Sequence, residues 1–138
     1  MVRVEDYEVL EGLYYSKDHV WVKVEGGKVR IGITDYAQKQ QREVIFVDLP
    51  RTGENIVRGE SFGTLESQKA VSDLVAPISG TIEEVNEEAR SSPEVLNKDP
   101  YGKGWLILVS PINLEEELKA LMGHEAAVEW HRDLVREG

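Results

Sequence analysis

Lys69 is the residue of this chain best placed to take part in chemistry. It stands in residues 62–77, FGTLESQKAVSDLVAP, where two apolar-leaning runs flank the polar pair Gln68-Lys69. Phe62, Leu65, Val71, Leu74 and Val75 suit strands, so the segment reads as a β-hairpin with Lys69 at its tip. Asn-Gly or Asp-Gly would make a tighter primed turn. An amine at such a tip lies in water. It is either a solvated turn charge, the usual role of a surface lysine, or an accessible amine that an enzyme converts to an amide. Other arrangements are weaker. His19, His124 and His131 are scattered along the chain, and no His-x-x-x-His or phosphate-cradling glycine loop occurs; the run GESFG at 59–63 superficially resembles a nucleophile elbow but has no helical pattern after it. With no cysteine there is no thiol nucleophile and no thiolate metal ligand. The chain therefore reads as a carrier or binding module rather than an enzyme.

At 138 residues the chain suits a single domain, 1–138, with its own core. Its net charge of -10 would be repelled by nucleic acid and by anionic membrane, so neither is expected as a partner. The same charge suits docking against basic patches on other proteins. No run approaches the roughly 18 apolar residues of a membrane span. The start, MVRVEDYEVLEGLYY, is acidic and has no apolar h-region, so no export or transit signal is expected and a cytoplasmic protein is.

The elements that must position the lysine follow from periodicity. Residues 1–18 suggest an extended lead-in with short pairing around 9–15. Val20, Val22 and Val24 alternate with Trp21, Lys23 and Glu25, then Val29, Ile31 and Ile33 alternate after Gly26-Gly27, a strong hairpin pattern. Thr34 or Asp35 can cap a short helix, with Asp35 and Gln38 fitting a capping box. Residues 43–49, EVIFVDL, read as a buried strand closed by Pro50. Pro50-Arg51-Thr52-Gly53 and Pro77-Ile78-Ser79-Gly80 open two similar stretches, each ending in an aromatic-led strand; the second carries an insertion at 87–100, with Ser92 and Pro93 opening a helix. Chance similarity of turns explains such a repeat as readily as two related facing sheets do. Gly53 and Gly80 would occupy matching turns that favour glycine. A β core of about 9–111 is followed by helices over about 113–136, with Asn113 and Glu116 as a capping box, Gly123 as a stop, and Ala126, Ala127, Trp130 and Leu134 as the apolar positions of the last helix.

The run ESQKAVSDLVAPISGTIEEVN, with IGITDYAQ and VIFVDLP before it and DPYGKGWL after it, closely resembles the H proteins of the glycine cleavage system. The resemblance extends over about residues 10–121. It implies a mainly β fold, a lipoyl-domain barrel-sandwich hybrid of two small antiparallel sheets with short helices and a helical C-terminus. It implies lipoic acid joined covalently to Lys69, and a non-catalytic carrier that shuttles an aminomethyl group between glycine decarboxylase, aminomethyltransferase and dihydrolipoyl dehydrogenase. A lipoate ligase or lipoyl/octanoyl transferase would attach the group, with Glu66 helping recognition unless it is merely a solvated strand end. Biotinyl carriers place their lysine between methionines, whereas Gln68 and Ala70 flank this one. The resemblance also points to Ser67, Asp73 and His19 as cofactor-binding residues.

Two departures bear on the cargo. Family members usually read His-Glu-Trp where this chain has His19-Val20-Trp21, and a leucine-glycine-acidic stretch where it has Gln40-Gln41-Arg42-Glu43. The glutamate and the aspartate matching Asp73 are associated with the amine of the loaded arm. The alternative implied is an H-like lipoate-binding protein that carries sulfur intermediates for a heterodisulfide-reductase-like complex in sulfur oxidation, or a lipoyl-relay protein.

Overall fold

A computed structural model of the protein describes residues 2–137; Met1 and Gly138, the ends of the expected domain, lie outside the described residues. The hairpin at Gly26-Gly27 forms as expected, from β4 (Val20–Glu25) and β5 (Lys28–Ile33). It sits inside a six-stranded antiparallel sheet, preceded by β3 (Tyr14–Tyr15) and flanked on the other side by β11 (Ile107–Pro111), β10 (Gly80–Val85) and β7 (Asn55–Ile56). The lysine segment forms β8 (Ser61–Ser67) and β9 (Val71–Val75), which with β6 (Val44–Asp48) make a three-stranded sheet in the order β6-β8-β9. The two sheets enclose one core that includes Val22, Ile31, Leu65, Ile78, Ile82 and Val109. This is the mainly β, two-sheet arrangement expected.

The lead-in is more ordered than expected. β1 (Val2–Val4) and β2 (Tyr7–Val9) pair with each other, and with the long helix α5 (His124–Glu137) they cover the opposite face of the six-stranded sheet. A second core forms there from Val9, Tyr15, Trp21, Ala127 and Val128. That cover explains why Trp21, which alternation places on the outer face, is only 1% exposed. Its ring lies over Gly32, its cross-strand partner, and its Nε1–H donates to the Pro100 carbonyl at 3.0 Å. A strand with both faces covered loses the polar half of its pattern.

Several local expectations are corrected. Of the two expected cap candidates, Thr34 is the one that caps the helix α1 (Asp35–Gln41), its Oγ1 accepting from Ala37 N–H, and the Asp35–Gln38 capping box does not form. The Asp35 carboxylate instead accepts from Gln38 Nε2 and from Glu8 N–H, tying α1 to β2. β6 is not buried throughout: a bulge after Val44 leaves Ile45 and Phe46 half exposed. Gly53 has φ +91°, but Gly80 opens β10 without a positive φ. What excludes a side chain at Gly80 is space, since a Cβ there would meet the Ser110 carbonyl and Val109 Cγ1. The first strands of the two similar stretches, β7 and β10, pair with each other, while β8 and β11 lie in different sheets. Within the insertion, Asn86 caps α2 (Glu87–Ser91), and Ser92 ends it rather than starting a helix; α3 (Val95–Lys98) follows without a side-chain cap. Asn113 precedes α4 (Leu114–Leu118) but makes no capping bond, and Glu117 reaches back to Ser79. On α5 the buried positions are Ala127, Val128 and His131; Ala126 is exposed.

Candidate functional site

Lys69 lies exposed at the tip between β8 and β9, as expected. The loop is Gln68-Lys69, closed by a bond from Ser67 N–H to the Ala70 carbonyl at 2.9 Å. Neither loop residue has a positive φ, so the loop is not a primed turn. A side chain braces it instead. The buried Ser67 Oγ accepts from Lys69 N–H at 3.2 Å and from Ala70 N–H at 3.3 Å, satisfying two donors that the open loop leaves without carbonyl partners. The Ser67 hydroxyl faces Gln41 Oε1 at 3.1 Å, and Gln41 Nε2 donates to Ser72 Oγ at 2.8 Å. One amide at the end of α1 thus grips both strands just below the lysine.

A cleft of about 420 Å³ runs beside the hairpin. Its apolar surface comes from Val20, Ile33, Leu65 and Leu74, all buried, and its rim from the exposed Lys17, Asp18, Gln40 and Asp73. Asp73 accepts from Ser61 Oγ at 3.2 Å. His19 and Tyr36 also line the cleft, and they bring the C-terminal helix to it. The His19 ring is stacked between Tyr36, at 5.0 Å between centroids, and Trp130, at 4.9 Å. His131 meets Tyr36 and Trp130 edge-on, at 6.0 and 5.5 Å. Burial holds both histidines below the usual imidazole range, and for His19 the neighbouring His131 pushes the same way. His131 Nδ1 lies 2.7 Å from the Ala127 carbonyl, which can only accept, so Nδ1 carries a proton there. His131 Nε2 and His19 Nδ1 have no partner among the described residues.

Comparison with known proteins decides the family. The family model described as "Glycine cleavage H-protein" matches residues 13–134. The chain belongs to the glycine cleavage H-protein family. It is 50% identical over 135 residues to a probable glycine cleavage system H protein of Pyrococcus abyssi, covering 97% of this chain and all of that one. It is 47% identical over 126 residues to a glycine cleavage system H protein of a Geobacillus species, covering 91% of this chain and 95% of the other. The crystal structure of a glycine cleavage system H protein from Mycobacterium marinum superposes with a TM-score of 0.72 at 44% identity, covering 75% of this chain and 86% of that one. These relatives do not favour the sulfur-oxidation alternative.

The residues singled out from sequence divide between the parts of this site. Lys69 is the tip and Ser67 its brace; Asp73 and His19 line the cleft at its rim and wall. Glu66 does not face the cleft: it stands exposed on the outer face of the sheet, opposite Phe46 on one side and Val71 on the other. Val20 is 1% exposed and offers the cleft no acceptor. The structure corrects the scattered histidines: His19 and His131 meet in one joint, while His124 lies apart, 3.2 Å from the Leu10 carbonyl. Sequence reasoning missed Gln41 as a clamp and Tyr36 and Trp130 as the plates around His19. Only the departure at Gln40-Gln41 marked that region.

Proposed function

We propose that Lys69 bears a lipoyl group as an amide on its ε-nitrogen, and that the chain works in the cytoplasm as a non-catalytic carrier. Carriage of lipoyl within the glycine cleavage system is the role of its family. The observation that supports the site is the braced tip: an exposed lysine on a loop held by Ser67 and Gln41, beside an apolar cleft. When bound, lipoate supplies a dithiolane that takes up an aminomethyl group and is reduced and reoxidised.

The chain's own residues do the rest. Ser67 and Gln41 fix where the lysine leaves the sheet, so an arm attached there sweeps from one fixed origin. A tether of this kind raises the effective concentration of its head at each partner. We take the partners to be glycine decarboxylase, aminomethyltransferase and dihydrolipoyl dehydrogenase, and a ligase or transferase that makes the amide. Val20, Ile33, Leu65 and Leu74 offer an apolar bed that excludes water, while Asp18 and Asp73 set carboxylates at its rim. A cationic amine at that rim meets carboxylates that are exposed to water, a contact worth about 0.2–1 kcal/mol.

The test is intact-mass analysis of protein from lipoate-fed cells. Wild type gains one lipoyl group and Lys69→Ala gains none. An unmodified wild type, or modification that survives the substitution, rejects the assignment.

A further inference from the structure

The hairpin has two faces. One packs on the core and the cleft. The other is the outer face of the three-stranded sheet, and it is unusually apolar beside the lysine. The register aligns Phe46, Glu66 and Val71 across β6, β8 and β9. Phe46 is 53% exposed, Val71 65%, and Ile45, turned out by the bulge, 51%. Asp48, Thr64 and Asp73 form the next aligned row. The three strands together contain the carboxylates of Asp48, Glu66 and Asp73 and no lysine or arginine. An apolar strip edged with charge of one sign has the make-up of an interface, with an apolar centre and a polar rim.

We infer that this face is the docking surface for the enzyme that acylates Lys69, and that the enzyme meets it with an apolar patch ringed by lysine and arginine. The inference rests on Lys69 being the acylated residue. Two arguments select this occupant. First, distance: Val71 follows the lysine by two residues and Glu66 precedes it by three, so both lie within roughly 10 Å of it along the strands. An enzyme that forms the amide must take the lysine ε-nitrogen into its active site and so must cover these residues. Enzymes that act on the far end of a long arm have no such constraint. Second, charge: a second copy of this chain would set the same carboxylates against one another, whereas a basic rim pairs with them and speeds encounter.

The experiment uses the unmodified full chain, a purified lipoate–protein ligase, lipoate and ATP. Initial rates are measured against carrier concentration, and affinity for the ligase is measured by calorimetry without ATP. Phe46→Ser and Val71→Ser, both outward-facing, are each expected to raise KM at least tenfold and to weaken binding by the same factor. Glu66→Lys with Asp48→Lys is expected to do likewise and to abolish the dependence of KM on salt. Reaction of Lys69 with a small acylating ester, together with circular dichroism, should match wild type in every variant, showing an intact and accessible tip. Ile112→Ser, which removes an exposed apolar residue in the loop after β11, is expected to keep the wild-type KM. Wild-type KM in the Phe46 and Val71 variants overturns the docking surface while leaving the lysine assignment standing, because modification still occurs. A wild type that the ligase does not modify at Lys69 overturns both. A wild-type dimer in sedimentation that Phe46→Ser dissociates overturns it too, in favour of self-association.

Discussion

The two long hairpins of this protein turn by different means. The β4–β5 hairpin, inside the six-stranded sheet, closes through Gly26-Gly27 with φ +64° at Gly26, so its turn is written in the backbone. The β8–β9 hairpin has no glycine in its loop and no positive φ there; the Ser67 hydroxyl takes the amide hydrogens that a backbone turn would bind. The first hairpin is scaffold, with strands on both sides and a tryptophan packed on it. The second ends its sheet at β9 and presents a lysine. A turn braced by the residue before it leaves both loop positions free of conformational duty.

The largest expected effect strikes the scaffold hairpin. A Cβ at Gly32 would lie 2.5 Å from the Trp21 ring, which is buried and has nowhere to go. Gly32→Ala should cost about 3 kcal/mol through overpacking. Denaturant unfolding checks this, and the fraction still folded should be lipoylated at the wild-type rate. A stable Gly32→Ala protein would show that the scaffold is softer than the tip.

Ser67→Ala should act the other way round. It removes the acceptor of the Lys69 and Ala70 amides and the partner of Gln41. The local cost is about 1–2 kcal/mol, concentrated at the tip. Amide exchange at Lys69 and Ala70 should quicken tenfold or more, with a much smaller change in the β4–β5 amides. Lipoylation should slow through KM. Uniform loss across both hairpins would mean that the brace holds the whole fold rather than the loop.

The same contrast explains what the sequence disclosed. Alternation of Val20, Val22, Val29 and Ile31 revealed the scaffold strands, and the Gln68-Lys69 break within apolar runs revealed the lysine tip, because both are local patterns. The brace was half legible: Ser67 was named, but Gln41 grips it from 26 residues away, a contact no periodicity records. The joint of His19, Tyr36, Trp130 and His131 draws on the loop before β4, on α1 and on α5, so it exists only after tertiary packing. Gly80 shows a further limit. A glycine letter states that a side chain is excluded, but not whether φ or a neighbouring carbonyl excludes it.

Acid should separate the joint from the hairpin. His131 is fully buried and both histidines titrate below the usual imidazole range in the folded protein. The unfolded chain, with ordinary histidines near 6.5, therefore takes up protons first as pH falls. Stability is full above about pH 6.5 and declines below it, by at most about 1.4 kcal/mol per pH unit for each proton, until the folded-state histidines titrate. Melting temperatures between pH 7.5 and 5.5 should fall in wild type and fall less in His131→Leu. Protection of the Trp130 amide, taken relative to its intrinsic exchange rate at each pH, should fall with acid while protection at Lys69 does not. A slope unchanged by the substitution would place the acid sensitivity elsewhere.

The smallest expected effect returns to glycine and its absence. Where the chain enters β6, Arg42 holds φ +66° and ψ −150°, a region that strains any residue with a Cβ. The scaffold hairpin meets its own positive φ with Gly26; the carrier side meets one with arginine and keeps the strain. Arg42 is exposed, and its backbone makes the bonds that matter: its N–H donates to the Gln38 carbonyl, and its carbonyl accepts from Asn97 Nδ2. Arg42→Gly keeps both bonds and relieves the strain, less the entropy that glycine adds to the unfolded chain. The expected gain is about 1 kcal/mol, read as a higher melting temperature. Gly26→Ala, the mirror change in the other hairpin, should lose about as much. If Arg42→Gly lowers stability instead, the arginine side chain contributes more than its backbone costs, and the strain is offset by a contact of that side chain.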